Sequence, residues 1–396
     1  MKTRAWILTL LSAVALVALV APLADAKKGN KHAKKGGTHK KHKPLKENKP
    51  LVIGHRGASG FVPEHTLQSY KLAIKLGADY VEPDLVMTKD HVLIARHEPI
   101  LGDSDPNTTG DSTNVGDHPE FASRETTRTL DGVPTTGFWA QDFTLAEIKT
   151  LGARQTRGGR PTEFNGKFKI PTLQEIINLV KRRSHKLGRR IGIYPETKHP
   201  TFHDSQGLSL EEPLVQTLKK NGLNSKNSPV FIQSFEQSNL KELNHMTRVR
   251  LVQLMDANDT DADGNPTYAP PFDRPYDWTA SGDPVLLART FGYFATDAGL
   301  DEVKTYADGI GPWKVYIIPI TLGGAGIPQT PTDLVARAHA RGLLVHTWTF
   351  RDDSFPSGFP GGPVDELLAF YREKVDGVFA DFPDTAFGAR EIFRGL

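Results

Sequence analysis

The sequence predicts an α/β fold, an eight-stranded (β/α) barrel of the TIM type with insertions in its βα loops. Three observations carry that expectation. From Leu51 onward, short apolar runs alternate with segments of helical periodicity, the pattern of parallel strands joined by crossover helices. The alternations are too many for a small open sheet, and 396 residues with 38% apolar and 24% charged side chains suit one large barrel, or two domains, of a soluble protein. Polar side chains also recur directly after the apolar runs, where a barrel of this kind collects its site.

In chain order, Lys2 and Arg4 precede an apolar run from Trp6 to Val20, and Ala24-Asp25-Ala26 follows. That is the layout of a secretory signal peptide over residues 1–26, and the run falls short of the ~20 residues that span a bilayer. Export is therefore expected, to a periplasm or outward to the cell wall, with no transmembrane anchor left after cleavage. Residues 27–50 hold ten lysines against one glutamate and almost nothing apolar. Such a segment cannot bury enough surface to fold, so it reads as a basic disordered tail, either a solvated spacer or a tether for an anionic cell-envelope polymer. No nucleic-acid partner is expected. Because the whole chain carries only +3, residues 51–396 are acidic on balance. Cysteine is absent, which excludes disulfides and thiol catalysis.

Strands are expected at 51–54, 80–84, 92–96, 191–194, 230–233, 250–255, 315–320, 343–347 and 377–380, with helices at 64–76, 173–183, 210–221, 237–244, 331–341, 364–373 and 385–393. Thr172 before LQEIINLV and Thr330 before PTDLVARA read as helix starts. Two stretches, roughly 101–169 and 257–284, are left as insertions. Within the second, Asp259, Asp261 and Asp263 resemble half of a Ca²⁺ loop but lack its closing glutamate, and read as a solvated turn.

The polar residues after the runs are His55 after LVIG, Glu82 and Asp84 in YVEPDLV, His97 after VLIAR, Glu196 after IGIYP, Gln233 after VFI, Trp348 after LLVHT and Asp381 after GVFA. Glu82 and Asp84, two apart on a strand, share a face and repel unless a cation neutralises them. With Glu196 as a third oxygen donor and no thiolate, the expected ion is one hard divalent cation, Ca²⁺ or Mg²⁺. His55 and His97 suit general acid–base work, and Arg56, fixed beside Gly57, offers a planar fork for a phosphate oxygen.

HRGASGFVPEHTLQSYKLAIKLGADYVEPDLVMTKD, with a following His-Glu-Pro, resembles the opening block of the glycerophosphodiester phosphodiesterases, the exported bacterial members in particular. QDFTLAEIKTL, IGIYPETKHPTFH, LVHTWTF and DGVFADFPD extend the likeness over most of residues 51–390. The resemblance implies metal-dependent hydrolysis of glycerophosphodiesters to sn-glycerol 3-phosphate and an alcohol. It implies Glu82, Asp84 and Glu196 as metal ligands, His55 and His97 as the catalytic pair, and Arg56, Lys198, Gln233 and Trp348 as substrate-binding residues. The nucleophile is water, or the neighbouring glycerol hydroxyl by way of a cyclic phosphate. Glu98 stands where the family more often has aspartate, and little chemical effect is expected from it. The rival readings are action on teichoic acid or lysophospholipid and, from another class, a non-catalytic barrel that binds anionic polymers.

Overall fold

The structure, a computed structural model, describes residues 49–105, 110–321 and 326–395. The leader read at 1–26 and the basic segment at 27–50 lie outside these, Lys49 and Pro50 excepted. No helix among the described residues is long and apolar enough to cross a membrane.

Eight parallel strands close on themselves. They are β1 (Leu51–His55), β2 in two halves (Tyr80–Glu82 and Asp84–Met87), β3 in two halves (Gly192–Ile193 and Glu196–Thr197), β4 (Phe231–Ser234), β5 (Arg250–Met255), β6 (Gly309–Pro312), β7 (Leu344–Phe350) and β8 (Gly377–Ala380). Each pairs with the next, and Leu51 of β1 stands opposite Gly377 of β8. Pro83 and Pro195, which donate no ladder hydrogen bond, mark the breaks in β2 and β3. Ile53, Tyr80, Tyr194, Phe231, Val252 and Phe379 fill the barrel interior.

One principal helix follows each strand: α1 (Leu67–Lys75), α2 (Leu173–Leu187), α3 (Glu211–Lys220), α4 (Gln237–Met246), α5 (Asp297–Lys304), α6 (Leu334–Ala340), α7 (Pro363–Arg372) and α8 (Pro383–Gly395). Thr172 opens α2 through a full capping box with Glu175, which satisfies donors a helix start otherwise leaves unpaired. Helix α6, by contrast, begins at Leu334 rather than beside Pro331.

The structure revises two strands. The run at 315–320 is no strand: Val315, Ile317, Ile318 and Ile320 are buried in the loop after β6, while the strand itself is the glycine-rich Gly309–Pro312. A Cβ on Gly309 would meet the Leu344 carbonyl oxygen at 2.8 Å, so close strand approach selects glycine there. The run at 92–96 forms Leu93–Ala95, but antiparallel to the outer half of β2 and outside the barrel ladder. It opens the long insertion, which has a core of its own that includes Leu101, Val115, Phe138, Phe143 and Ile148. Asp259–Thr260 and Pro266–Thr267 form a small hairpin in which Asp261 accepts hydrogen bonds from the backbone amides of Asp263 and Asn265, as a turn does.

The loop from β1 to α1 constrains its own sequence. Gly57 has φ +94°, and a Cβ there would lie 2.7 Å from a backbone carbon of Ser69. Gly57→Ala is expected to cost ~1–3 kcal/mol from backbone strain alone, read as a lower midpoint in urea unfolding; an unchanged midpoint would refute it.

Candidate active site

Strands β1, β2, β3, β4, β7 and β8 each bring a polar group to one face of the barrel, at or just past their ends. His55 closes β1, and its Nδ1 donates to Asp381 Oδ1, just past β8, at 2.6 Å. Arg160 Nη2 and Arg351 Nε hold the other Asp381 oxygen at 2.6 and 3.0 Å. Burial alone would raise the Asp381 carboxyl, but His55 and the two guanidiniums outweigh it and hold it well below the carboxylate range. Burial pushes His55 down to about 4 against the pull of Asp381, so its ring is neutral, Nδ1–H is committed and Nε2 is the free acceptor. His97 also has a carboxylate beside it: its Nδ1 lies 2.7 Å from Glu98 Oε1, and enclosure together with Arg56 and Lys198 lowers its pKa.

Glu82, Asp84 and Glu196 are buried, with one carboxylate oxygen of each within 4.8 Å of the other two. Two unit charges 4.8 Å apart repel by about 3.5 kcal/mol at an effective dielectric near 20. Burial and its neighbour Asp84 raise Glu82 well above the carboxylate range, and burial also lifts Glu196 to about 8. Asp84 goes the other way: burial opposes its charge, but His65 Nε2, donating at 2.9 Å, prevails. Tyr70 hydroxyl lies 2.8 Å from His65 Nδ1 and fixes that ring. The remaining Asp84 oxygen, Oδ1, is buried without a protein partner, as is Gln233 Oε1. A crowded set of hard oxygens with an orphaned carboxylate atom fits a divalent cation.

Arg56 stands beside the triad. Its backbone N–H donates to Glu82 Oε2 at 2.7 Å, its Nη1 reaches Glu64 Oε2 at 3.0 Å, and its Nε lies 3.6 Å from Asp84. Burial opposes the charge of Arg56, yet the surrounding carboxylates keep it protonated. Gln233 Nε2 donates to Glu82 Oε1 at 3.3 Å and Lys198 Nζ lies 3.1 Å from Glu196.

His55, Arg56, Glu82, Asp84, His97, Glu196, Gln233 and Trp348 all line one cavity of about 90 Å³. Lys198 lines an adjoining cavity of about 290 Å³ that shares His97, Glu196, Phe235 and Trp348 with the first and adds Phe272 and Asp256. Trp348 is anchored by its indole N–H to the Gly311 carbonyl at 2.7 Å and meets Phe235 edge-on. The structure thus brings together all nine residues singled out from the sequence. It also adds groups whose role the sequence did not disclose: Asp381 behind His55, His65 behind Asp84, Glu64 behind Arg56, and Glu98, His199 and Asp131 behind His97. Arg160, within the long insertion, is buried and pins its loop to Asp353 and Asp381. Pro-Glu-His before the helix start at Thr66 was the signal available for Glu64 and His65.

A parallel (β/α)₈ barrel whose mouth combines a carboxylate triad, a buried arginine and two carboxylate-braced imidazoles defines a phosphoric diester hydrolase. The family model for the glycerophosphoryl diester phosphodiesterase family matches residues 55–385, and the chain belongs to that family. It is 36% identical over 370 residues to glycerophosphodiester phosphodiesterase GDPD6 of Arabidopsis thaliana, with 89% of each chain covered. It is 30% identical over 369 residues to a glycerophosphodiester phosphodiesterase of Haemophilus influenzae, covering 87% of this chain and 90% of the relative. Among solved structures it resembles an Oleispira antarctica phosphodiesterase in complex with the product sn-glycerol-3-phosphate, with a TM-score of 0.54 at 20% identity over 87% of this chain and 97% of that one. At that identity the likeness speaks for the fold.

Proposed function

We propose that the chain is an exported phosphodiesterase that cleaves glycerophosphodiesters to sn-glycerol 3-phosphate and an alcohol. The observation that carries the chemistry is the single cavity onto which the triad, Arg56 and both imidazoles open. Glu82, Asp84 and Glu196 would hold the divalent cation, which when bound supplies Lewis-acid neutralisation of the phosphate charge. Arg56 adds a fixed positive charge beside the same phosphate, held in place by Glu64. One imidazole Nε2 takes the proton of the attacking hydroxyl while the other, protonated, gives its proton to the departing alkoxide. The phosphorus–oxygen bond to the alcohol breaks as the new one forms, and in-line displacement sets the two rings on opposite sides of the phosphorus. Asp381 and Glu98 fix which nitrogen of each ring does this.

The test is release of sn-glycerol 3-phosphate from glycerophosphocholine or a glycerol-phosphate polymer, and of the acylated glycerol phosphate from a lysophospholipid, each with Ca²⁺ or Mg²⁺. Release from at least one supports the reading, and their ranking assigns the substrate; no release from any of the three overturns it. Export is supported by the Lys2/Arg4, Trp6–Val20 and Ala24-Asp25-Ala26 pattern. A mature chain starting at Lys27 in the envelope or medium is expected, and full-length protein retained in the cytosol would overturn export. The ten lysines of residues 27–50 would tether the enzyme to an anionic envelope polymer.

A further inference from the structure

We propose that Asp131, His199 and Glu98 form a chain of positioning residues that holds His97 in its working orientation, so that the hairpin of the long insertion belongs to the catalytic apparatus. The inference rests on the role given to His97 above. Two hydrogen bonds and one close histidine–carboxylate contact run from the hairpin tip to the active site. Asp131 Oδ2 accepts from His199 Nδ1 at 2.6 Å, Glu98 Oε2 accepts from His199 Nε2 at 2.8 Å, and Glu98 Oε1 lies 2.7 Å from His97 Nδ1. Both nitrogens of His199 face carboxylate oxygens, so both carry hydrogen and the ring is an imidazolium. Its pKa accordingly rises to about 10, because the Glu98 and Asp131 carboxylates outweigh its burial. Glu98 has one oxygen for each histidine, and a shorter side chain at this position would have to give up one of them or draw the backbone inward.

The far end of the chain is rigid for local reasons. Strands Thr126–Leu130 and Val133–Gly137 are joined by the two-residue turn Asp131-Gly132, with φ of +48° and +85°. Positive φ at both turn positions is what a tight two-residue hairpin requires, and Asp-Gly is a sequence that supplies it. The hairpin is seated by an apolar cluster of Leu130, Trp139 and Phe202, and Phe202 lies in the short helix Pro200–Ser205 that His199 precedes. His199 is itself held at φ +46°, a conformation a non-glycine residue adopts at a cost. Sheet turn, cluster and strained residue thus converge on one ring, and that ring holds the carboxylate behind His97.

A salt-bridged cluster that only steadies the fold would look the same in a static picture, so the test must separate the two. Steady-state rates on glycerophosphocholine would be compared for wild type, Glu98→Gln, Asp131→Asn, His97→Ala and the two double variants with His97→Ala. The expected result is a kcat lower by ~10–100-fold for Glu98→Gln and by ~3–10-fold for Asp131→Asn, with KM within about twofold. In the His97→Ala background neither change should lower the residual rate further, because both act through that ring. Single variants within about twofold of wild type, or losses that persist in full without His97, would overturn the chain. If wild type is inactive or His97→Ala keeps its rate, the functional reading fails first; if both behave as expected and Glu98→Gln is silent, the positioning chain alone falls. Should Glu98→Gln fail to fold by circular dichroism, the Asp131→Asn cycle decides by the same two outcomes.

Discussion

Replacing His55 with alanine is expected to lower kcat on glycerophosphocholine by ~10²–10⁴-fold while the melting curve stays close to wild type. The reasoning starts from Asp381. Its Oδ1 accepts from His55 Nδ1, and Arg160 and Arg351 saturate its Oδ2, so the carboxylate cannot swing away and the imidazole cannot turn over. The ring therefore presents Nε2, and only Nε2, as a proton carrier. Alanine removes that atom and leaves Asp381 still paired to two guanidiniums, which is why the fold should survive. Asp381→Asn makes the complementary prediction. An amide that donates to Nδ1 would favour the other tautomer, so kcat should fall by ~10²-fold or more with KM little changed. Turnover of His55→Ala within tenfold of wild type would remove His55 from proton transfer.

That pairing also shows where sequence reading stops. His55, Arg56, Glu82, Asp84 and His97 are legible because each sits just after or within an apolar run within fifty residues, and their chemistry fits together before any fold is known. Asp381 was visible as a polar residue after GVFA, but its partnership with His55 exists only because β8 pairs with β1 when the barrel closes. Glu98, His199 and Asp131 come from three separate segments, and no spacing announces them. Strand β6 was missed for a related reason. Gly309-Ile-Gly-Pro312 has little preference for extended backbone and becomes a strand only between β5 and β7, whereas the β-branched run after it looks like a strand and is a buried loop. Barrel contacts, rather than local propensity, decide both.

Removing divalent cations is expected to abolish turnover and to destabilise the protein in a way that depends on pH, with the sign fixed by the triad. Glu82 stands well above the carboxylate range and Glu196 at about 8, because burial disfavours their charge and Asp84 repels both. An acid whose folded pKa is raised binds its proton more tightly in the folded state. Its contribution is complete below the unfolded value near ~4.3 and is lost as pH rises through the folded one. Asp84, held low by His65, has the opposite sign, and its contribution is lost only in acid, below about pH 4. Metal-free protein should therefore melt at progressively lower temperature between pH 5 and pH 8. A cation that replaces the shared protons should restore the loss, by about 2.7 kcal/mol at a hundredfold excess over Kd. Calorimetry at pH 5 and pH 8, with chelator and with Ca²⁺ or Mg²⁺, should give a larger metal-induced rise in Tm at pH 8, where fewer protons have to be displaced. Glu196→Gln, which removes one charge from the triad, should shrink that rise and its pH dependence together. Full turnover in excess chelator, or a Tm that ignores metal at both pH values, would mean that the three acids serve another purpose. The orphaned Asp84 oxygen would then need a different partner.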